Sequence, residues 1–380
     1  MLVIKNAKIF TSAQKVYEKG DILIESGKIK AIAESLETPE GAQIIDANGL
    51  TAMPGMVDAH SHIGLFGDGN GQDANEMTCN ATPQIESYYG IDPEDKAFER
   101  VCKAGITVSA IPPGSGNVIC GLVCAVKSAG ESMEQRCIKN PVAMKMALGG
   151  NPKGVYGKRG QLPMTRMGIA QVIRDNYIKA QEYLSKKEKG EEVAYDQGME
   201  NLCRVLKREI PMKVHCEQFD MLTILRIAKE FNVDLTIEHA WGSSDYYDDM
   251  ATSENLKGIV FGPIGVYLTP GECGKVDIES LIELDKRGVC CAIMTDGPVM
   301  NPDLIVSQAG ELVRFGLEQE KALEMLTINP AKILGLSERI GSLEEGKDAD
   351  LVLFAGSPAV ETAARVVCTI IDGKIVYREE

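Results

Sequence analysis

"PGMVDAHSHIGL", residues 54–65, sets His60 and His62 two apart at the end of an apolar run, in a chain of 380 residues that has only four histidines. Side chains at i and i+2 of a β-strand lie on one face. Both imidazoles therefore point the same way from a strand's end. Either they are two polar groups that share a face, or they are half of a metal site. The other two histidines also end apolar runs. His215 is in "MKVHCE" (212–217) and His239 in "DLTIEHA" (234–240), 24 residues apart, about one strand–helix unit. Asp296 ends "CCAIMTD" (290–296), 57 residues after His239, which leaves room for two more units. These positions fit the ends of strands one, five, six and eight of a barrel, where side chains converge on one mouth. Four imidazoles and a carboxylate there suit zinc or a similar borderline cation. A lone core histidine is usually a hydrogen-bonded structural group, but here none is left over for that role.

The surrounding pattern supports a barrel. From about 57 to 330, apolar runs such as "GITVSAIP" (105–112), "VAMKMALG" (142–149) and "GIVFGP" (258–263) alternate with amphipathic segments such as "FDMLTILRIAKEFN" (219–232) and "DIESLIELDKRG" (277–288). That alternation predicts parallel strands with helical crossovers. The span matches the roughly 250 residues of an eight-fold barrel. A doubly wound open sheet is the alternative, but no Gly-rich nucleotide fingerprint follows the first strand. The charged segment 174–209 reads as a helical pair, solvated or partner-binding. Both ends differ from the middle. "MLVIKNAKIF" (1–10), "GDILIESGKIKAIAE" (20–34) and "ARVVCTIIDGKIVYREE" (364–380) are β-rich and punctuated by Gly and Asn. The expected fold is α/β: a (β/α)8 TIM-type barrel over 57–334, with a small β-sandwich composed of the N- and C-terminal segments, 1–56 and 335–380.

Composition narrows the function classes. The formal net charge of −15 repels phosphate backbones and anionic membranes, so neither nucleic acid nor membrane is an expected partner. The eleven cysteines contain no Cys-x-x-Cys pair, and many sit in apolar runs such as "VICGLVCAV" (118–126). They read as free buried thiols in a reducing, cytoplasmic setting. The N-terminus reads as a strand and not a signal peptide, and no apolar stretch reaches the roughly 20 residues that span a bilayer.

"PGMVDAHSH", His215, His239 and the "TDGP" of Asp296 together resemble the metal-dependent amidohydrolase superfamily. The nearest likeness is to its imidazolonepropionase-like and prolidase-like group. "GSLEEGKDADLVLF" (341–354) is similar to the segment where that superfamily returns to its small β-domain, and "GDILIESGKIKAI" (20–32) to its opening strands. The likeness implies one or two Zn2+ ions held by His60, His62, His215, His239 and Asp296. Lys145, in the buried-looking "PVAMKMALG" (141–149), falls where many binuclear members carry a carboxylated lysine that bridges two metals. Desolvation favours the neutral amine that such a modification requires. The alternatives for Lys145 are a pair with a carboxylate such as Glu217, or an exposed strand end. Sequences of this likeness often read "GENPK" after the lysine. Here "GGNPK" (149–153) puts Gly150 in place of a carboxylate.

The implied activity is hydrolysis of a C–N bond of a small molecule, most simply a linear or cyclic amide, N-acyl or dipeptide-like compound, and not an ordinary peptide bond. A metal-activated hydroxide would attack, with Asp296 as proton shuttle and His239 beside the developing oxyanion. A heterocycle deaminase is the alternative, and a non-catalytic metal-binding assembly relative the remote one. A homo-oligomer is compatible with either enzyme. Among loop residues, Asn117, Arg166 and Tyr156 are the weaker candidates for substrate contact. Asn117 in "PPGSGNVICG" (112–121) could equally belong to a turn, Arg159 to solvated surface, and Tyr156 to packing.

Overall fold

The computed structural model describes residues 1–67, 73–266 and 274–380. The N-terminal segment forms β1 (Leu2–Phe10), β2 (Val16–Glu25), β3 (Lys28–Ala33), β4 (Gln43–Asp46) and β5 (Leu50–Pro54). The middle contributes β6 (Met56–Asp58), β7 (Ile106–Ile111), β8 (Ile119–Lys127), β9 (Cys137–Ala147), β10 (Met212–Cys216), β11 (Leu235–His239), β12 (Leu256–Phe261) and β13 (Cys291–Ile293). The chain ends in β14 (Leu351–Ala355), β15 (Arg365–Ile371) and β16 (Lys374–Arg378).

Two eight-stranded sheets result. The first has the order β16-β15-β14-β5-β1-β2-β3, with β4 also on β1, so both chain ends share one sheet. β14 runs antiparallel to β5, with Leu353 opposite Ala52. Ile4, Ile9, Ile22, Leu351, Leu353 and Ile370 form its apolar core. Burial of each such side chain stabilises by about 1.5–3 kcal/mol. Gly55 carries the chain from this sheet to the next. A Cβ there would lie 2.2 Å from Thr107 Oγ1, so only glycine passes.

The second sheet runs β6 to β13 in chain order. β9 to β13 are mutually parallel, and helices Asp220–Phe231 and Ser280–Lys286 cover them. The expected uniform parallel order breaks at β8, which is antiparallel to both β7 and β9. The reason is connection length. A parallel crossover needs about a dozen or more residues, and only 112–118 and 128–136 flank β8, the latter holding the short helix Met133–Arg136. The 174–209 segment is the predicted helical pair, within Arg166–Glu188 and Gln197–Leu206, joined by a Tyr183–Glu200 hydrogen bond of 2.6 Å. Among the described residues all ten cysteines are free thiols, and no helix is long and apolar enough to cross a membrane.

A buried ion cluster ties the sheets together. Lys127 Nζ, at the end of β8, lies 2.9 Å from Asp348, 3.2 Å from Asp350 and in contact with Asp372. Burial pulls the Lys127 amine down, but Asp350, Asp372 and Asp348 outweigh it and hold it above its ordinary value. Removing one partner of a buried pair leaves an uncompensated charge. Lys127→Met is therefore expected to lower unfolding free energy by about 3–5 kcal/mol, read by urea denaturation. A loss under about 1 kcal/mol would show that Lys28 and Arg339, which also reach Asp348, suffice.

Candidate metal centre

The two ends of the second sheet meet beyond β6 and β13. His62 N donates to Gly297 O at 2.6 Å, and Asp296 N donates to His60 O at 3.0 Å. Asp58, fully buried, reinforces the junction. Its carboxylate accepts from Thr295 Oγ1 at 2.5 Å, Thr295 N at 3.2 Å and His60 N at 3.3 Å. These bonds set His60, His62 and Asp296 together. His60 Nε2 and His62 Nε2 lie 3.5 and 3.4 Å from Asp296 Oδ1. One ligand atom from each of the three falls within 4.8 Å of the others.

His239 and His215 join from the neighbouring strands. The His239 ring is 5.2 Å from that of His60 and 4.1 Å from that of His215. Strict alternation would turn His239 away from the face of Thr236 and Glu238. Its φ of +67°, with Ala240 at +54°, breaks the alternation and re-aims the ring. Asp296 is likewise left-handed, at φ +53°. Strained backbone of this kind clusters at functional sites.

Three of the histidines have one ring nitrogen committed to a protein acceptor. His60 Nδ1 faces Glu238 Oε2 at 2.9 Å, His62 Nδ1 faces Pro112 O at 2.9 Å, and His239 Nδ1 faces Gly262 O at 2.9 Å. His215 differs: its Nε2 lies 3.1 Å from Glu217 Oε1, an ion-pair contact outside hydrogen-bond geometry. Asn151 Nδ2 lies 3.3 Å from that same nitrogen. His215 Nδ1 is buried and has no hydrogen-bond partner among the described residues. A neutral imidazole that donates from one nitrogen keeps a lone pair on the other, and metal-binding histidines are oriented in this way. Burial, then the charges of Lys145 and its neighbours, pushes His60 well below the usual imidazole range. Burial, then His215, does the same to His239. Burial raises the Asp296 carboxyl, but the His62 hydrogen bond and nearby positive charge, that of Lys145 included, outweigh it and hold it at about 2. The neutral imidazoles of His60 and His239 and the ionised carboxylate of Asp296 are in the forms that ligate a divalent cation, so these donors fit one.

Lys145 is fully buried, 3.3 Å from His60 Nε2. Burial lowers its amine to about 8, against the opposing pull of Cys120, Glu238 and Asp296. Neither alternative from the sequence describes it: it is not at an exposed strand end, and Glu217 pairs with His215. Sequence reasoning missed Glu238 and Lys213. Glu238 accepts from His60 and, at 2.6 Å, from Thr236 Oγ1. Lys213 Nζ sits 2.7 Å from Glu238 Oε2, an ion-pair contact whose angle falls outside hydrogen-bond geometry. The available signal was Lys213 two residues before His215, on the same strand face.

The weaker candidates are engaged within the protein. Asn117 Nδ2 donates to Glu76 O and Thr82 Oγ1, both at 2.8 Å, and its Oδ1 accepts from Tyr156 OH at 2.5 Å. Tyr156 OH also lies 2.6 Å from Cys79 O, so its one proton serves the two acceptors between them. Arg166 Nε donates to both oxygens of Asp220, and its guanidinium lies 4.5 Å from the Phe219 ring centre.

Residues 184–376, just over half of the chain, match the Amidohydrolase family. The chain belongs to the Amidohydrolase family. The crystal structure of an amidohydrolase from Thermotoga maritima MSB8 matches with a TM-score of 0.94 and 40% identity, covering 100% of both chains. Amidohydrolase tasK of Hapsidospora irregularis is 28% identical over 397 residues, and the chain spans 91% of itself but 39% of that protein. The imidazolonepropionase of Thermoplasma acidophilum is 25% identical over 396 residues, covering 96% of this chain and 90% of that protein. Proteins named dihydroorotase recur among the relatives. The names of these relatives are amidohydrolase, imidazolonepropionase and dihydroorotase, and metal binding is typical of the family.

Proposed function

We propose that this amidohydrolase cleaves the C–N bond of a small linear or cyclic amide, with one or two zinc-type cations as cofactor. The observation that supports this most is that His60, His62 and His239 are each held at Nδ1 by a protein acceptor and left with a lone pair at the other nitrogen, beside the Asp296 carboxylate. The second sheet is then the closed (β/α)8-type barrel of 57–334, modified at β8, with the composite sandwich of 1–56 and 335–380 beside it. The free thiols support a reducing, cytoplasmic setting.

His60, His62, His215, His239 and Asp296 would hold the metal. A zinc-type cation, when bound, supplies Lewis acidity that activates water and polarises a carbonyl. Asp296, ionised at neutral pH, takes the proton of the attacking water and returns it to the leaving nitrogen. His239 gives its Nδ1–H to Gly262, so it serves as a ligand; a role as oxyanion donor would need its protonated form. Glu238 fixes the His60 ring, and Lys213 balances the charge of Glu238. Lys145, as a neutral amine, adds to the carbon of CO2 with loss of one proton, and the resulting carbamate would serve as a further anionic ligand. Asn117 and Tyr156 enter as wall groups that shape the pocket, and Arg166 as the anchor of Asp220.

The test is metal analysis joined to a substrate screen. Protein reloaded with zinc is expected to hold about one to two ions per chain. It should hydrolyse some of a panel of N-acyl amino acids, dipeptides and cyclic ureides. Ammonia release from heterocyclic amines alone would favour the deaminase. Protein that cannot be loaded with metal would sink both.

A further inference from the structure

Building on the metal-dependent reading above, we infer that Glu217 and Trp241 form a subsite for a cationic amine next to the scissile bond of the substrate. Glu217 is buried, 3% exposed. Its Oε1 lies 3.1 Å from His215 Nε2, and its Oε2 is buried with no hydrogen-bond partner among the described residues. Trp241 Nε1 is another such orphan, a donor on a side chain that is 5% exposed. The two groups belong to one contiguous row. Glu217 touches His215, the His215 ring is 4.1 Å from that of His239, and the His239 ring is 5.2 Å from that of Trp241. Gln218 N donates to Trp241 O at 2.8 Å, which holds the segments after β10 and β11 side by side.

A buried carboxylate oxygen without a donor is costly, and such groups in native proteins call for a missing partner. Two buried cations of the neighbouring strands are engaged elsewhere: Lys213 is paired with Glu238, and Lys145 faces His60. The partner is therefore expected to arrive with the substrate, as an ammonium for Glu217 Oε2 beside an acceptor for the Trp241 N–H. An amide or phosphonate with an α-amino group has both. Asn151, which follows Gly150, reaches the same His215 nitrogen as Glu217. Glu217 thus puts a carboxylate close to where position 150 lacks one.

The experiment measures binding to zinc-loaded protein by calorimetry, with 1-aminoethylphosphonate and ethylphosphonate as paired probes. Wild type is expected to bind the amine-bearing probe about tenfold to a hundredfold more tightly, the range of a charge-assisted hydrogen bond in a buried site. Glu217→Gln keeps an oxygen for His215 and removes the charge. It should abolish the preference with metal content unchanged. Equal affinity of the two probes for wild type, or a preference that survives in Glu217→Gln, overturns the subsite. Loss of metal in Glu217→Gln also overturns it, making Glu217 a support for the ligand His215. Failure of wild type to hydrolyse any C–N substrate, with the probe preference intact, would instead count against the proposed reaction and leave the amine subsite standing.

Discussion

Asp296→Asn is expected to lower kcat by about 10²–10⁴-fold, the range of a positioned general acid–base group, with the fold intact. Asparagine is the informative replacement. Position 296 sits at φ +53°, which Asn and Asp tolerate far better than other side chains. The backbone bonds from Asp296 N to His60 O and from His62 N to Gly297 O do not involve its side chain. What changes is the charge facing His60 and His62. The amide cannot take a proton from water, and it is a poorer donor to a cation than a carboxylate. Steady-state rates on zinc-reloaded protein, with metal counted in the same sample, separate the two consequences. A fall in kcat at full metal content identifies the proton role. A parallel loss of both identifies a ligand role alone. Turnover within about threefold of wild type would remove Asp296 from the mechanism.

The clustering of His60, His62, His215, His239 and Asp296 was legible because each position carries a mark in the sequence. Histidines are rare in this chain, all four end apolar runs, and their spacing follows the strand–helix unit. The shared sheet of the two chain ends was legible for a similar reason: β-rich texture at both termini contrasts with the alternating middle. β8 was not legible. "VICGLVCAV" has no polar side chain to set a period, so periodicity cannot tell a buried antiparallel strand from any other buried run, and its leading residues read as a loop. Glu238 was hidden beside His239, because period-two reasoning sends neighbours to opposite faces and only the left-handed backbone at His239 overrides that. Asn117, Tyr156 and Arg166 looked available because sequence shows a side chain but not its partner. In the structure Glu76, Thr82, Cys79 and Asp220 are those partners.

Lys145→Met is expected to make the metal-free protein more stable while impairing the loaded enzyme. Burial lowers the Lys145 amine from 10.5 to about 8. The unfolded chain therefore binds more protons at this residue than the folded one between those values, and stability rises with pH across that window. Below pH 8 the amine is protonated in both states and the full penalty applies, about 3 kcal/mol at 1.36 kcal/mol per unit. Methionine is also unbranched and flexible, and it carries no charge to desolvate. In CO2-depleted, metal-free protein at pH 7, Lys145→Met should gain about that amount. The gain should shrink as pH rises from about 8 and vanish near 10.5, as read by urea denaturation at a series of pH values. The loaded enzyme should respond in the opposite sense, with a lower metal count and lower activity. Lys145→Ala should recover both in part when a small carboxylic acid fills the space. A variant no more stable than wild type at pH 7 would mean that Lys145 is not a desolvated cation. Unchanged metal content would separately remove its carbamate from the site. Retention of a destabilising lysine in so buried a position is what a functional use of its neutral amine predicts.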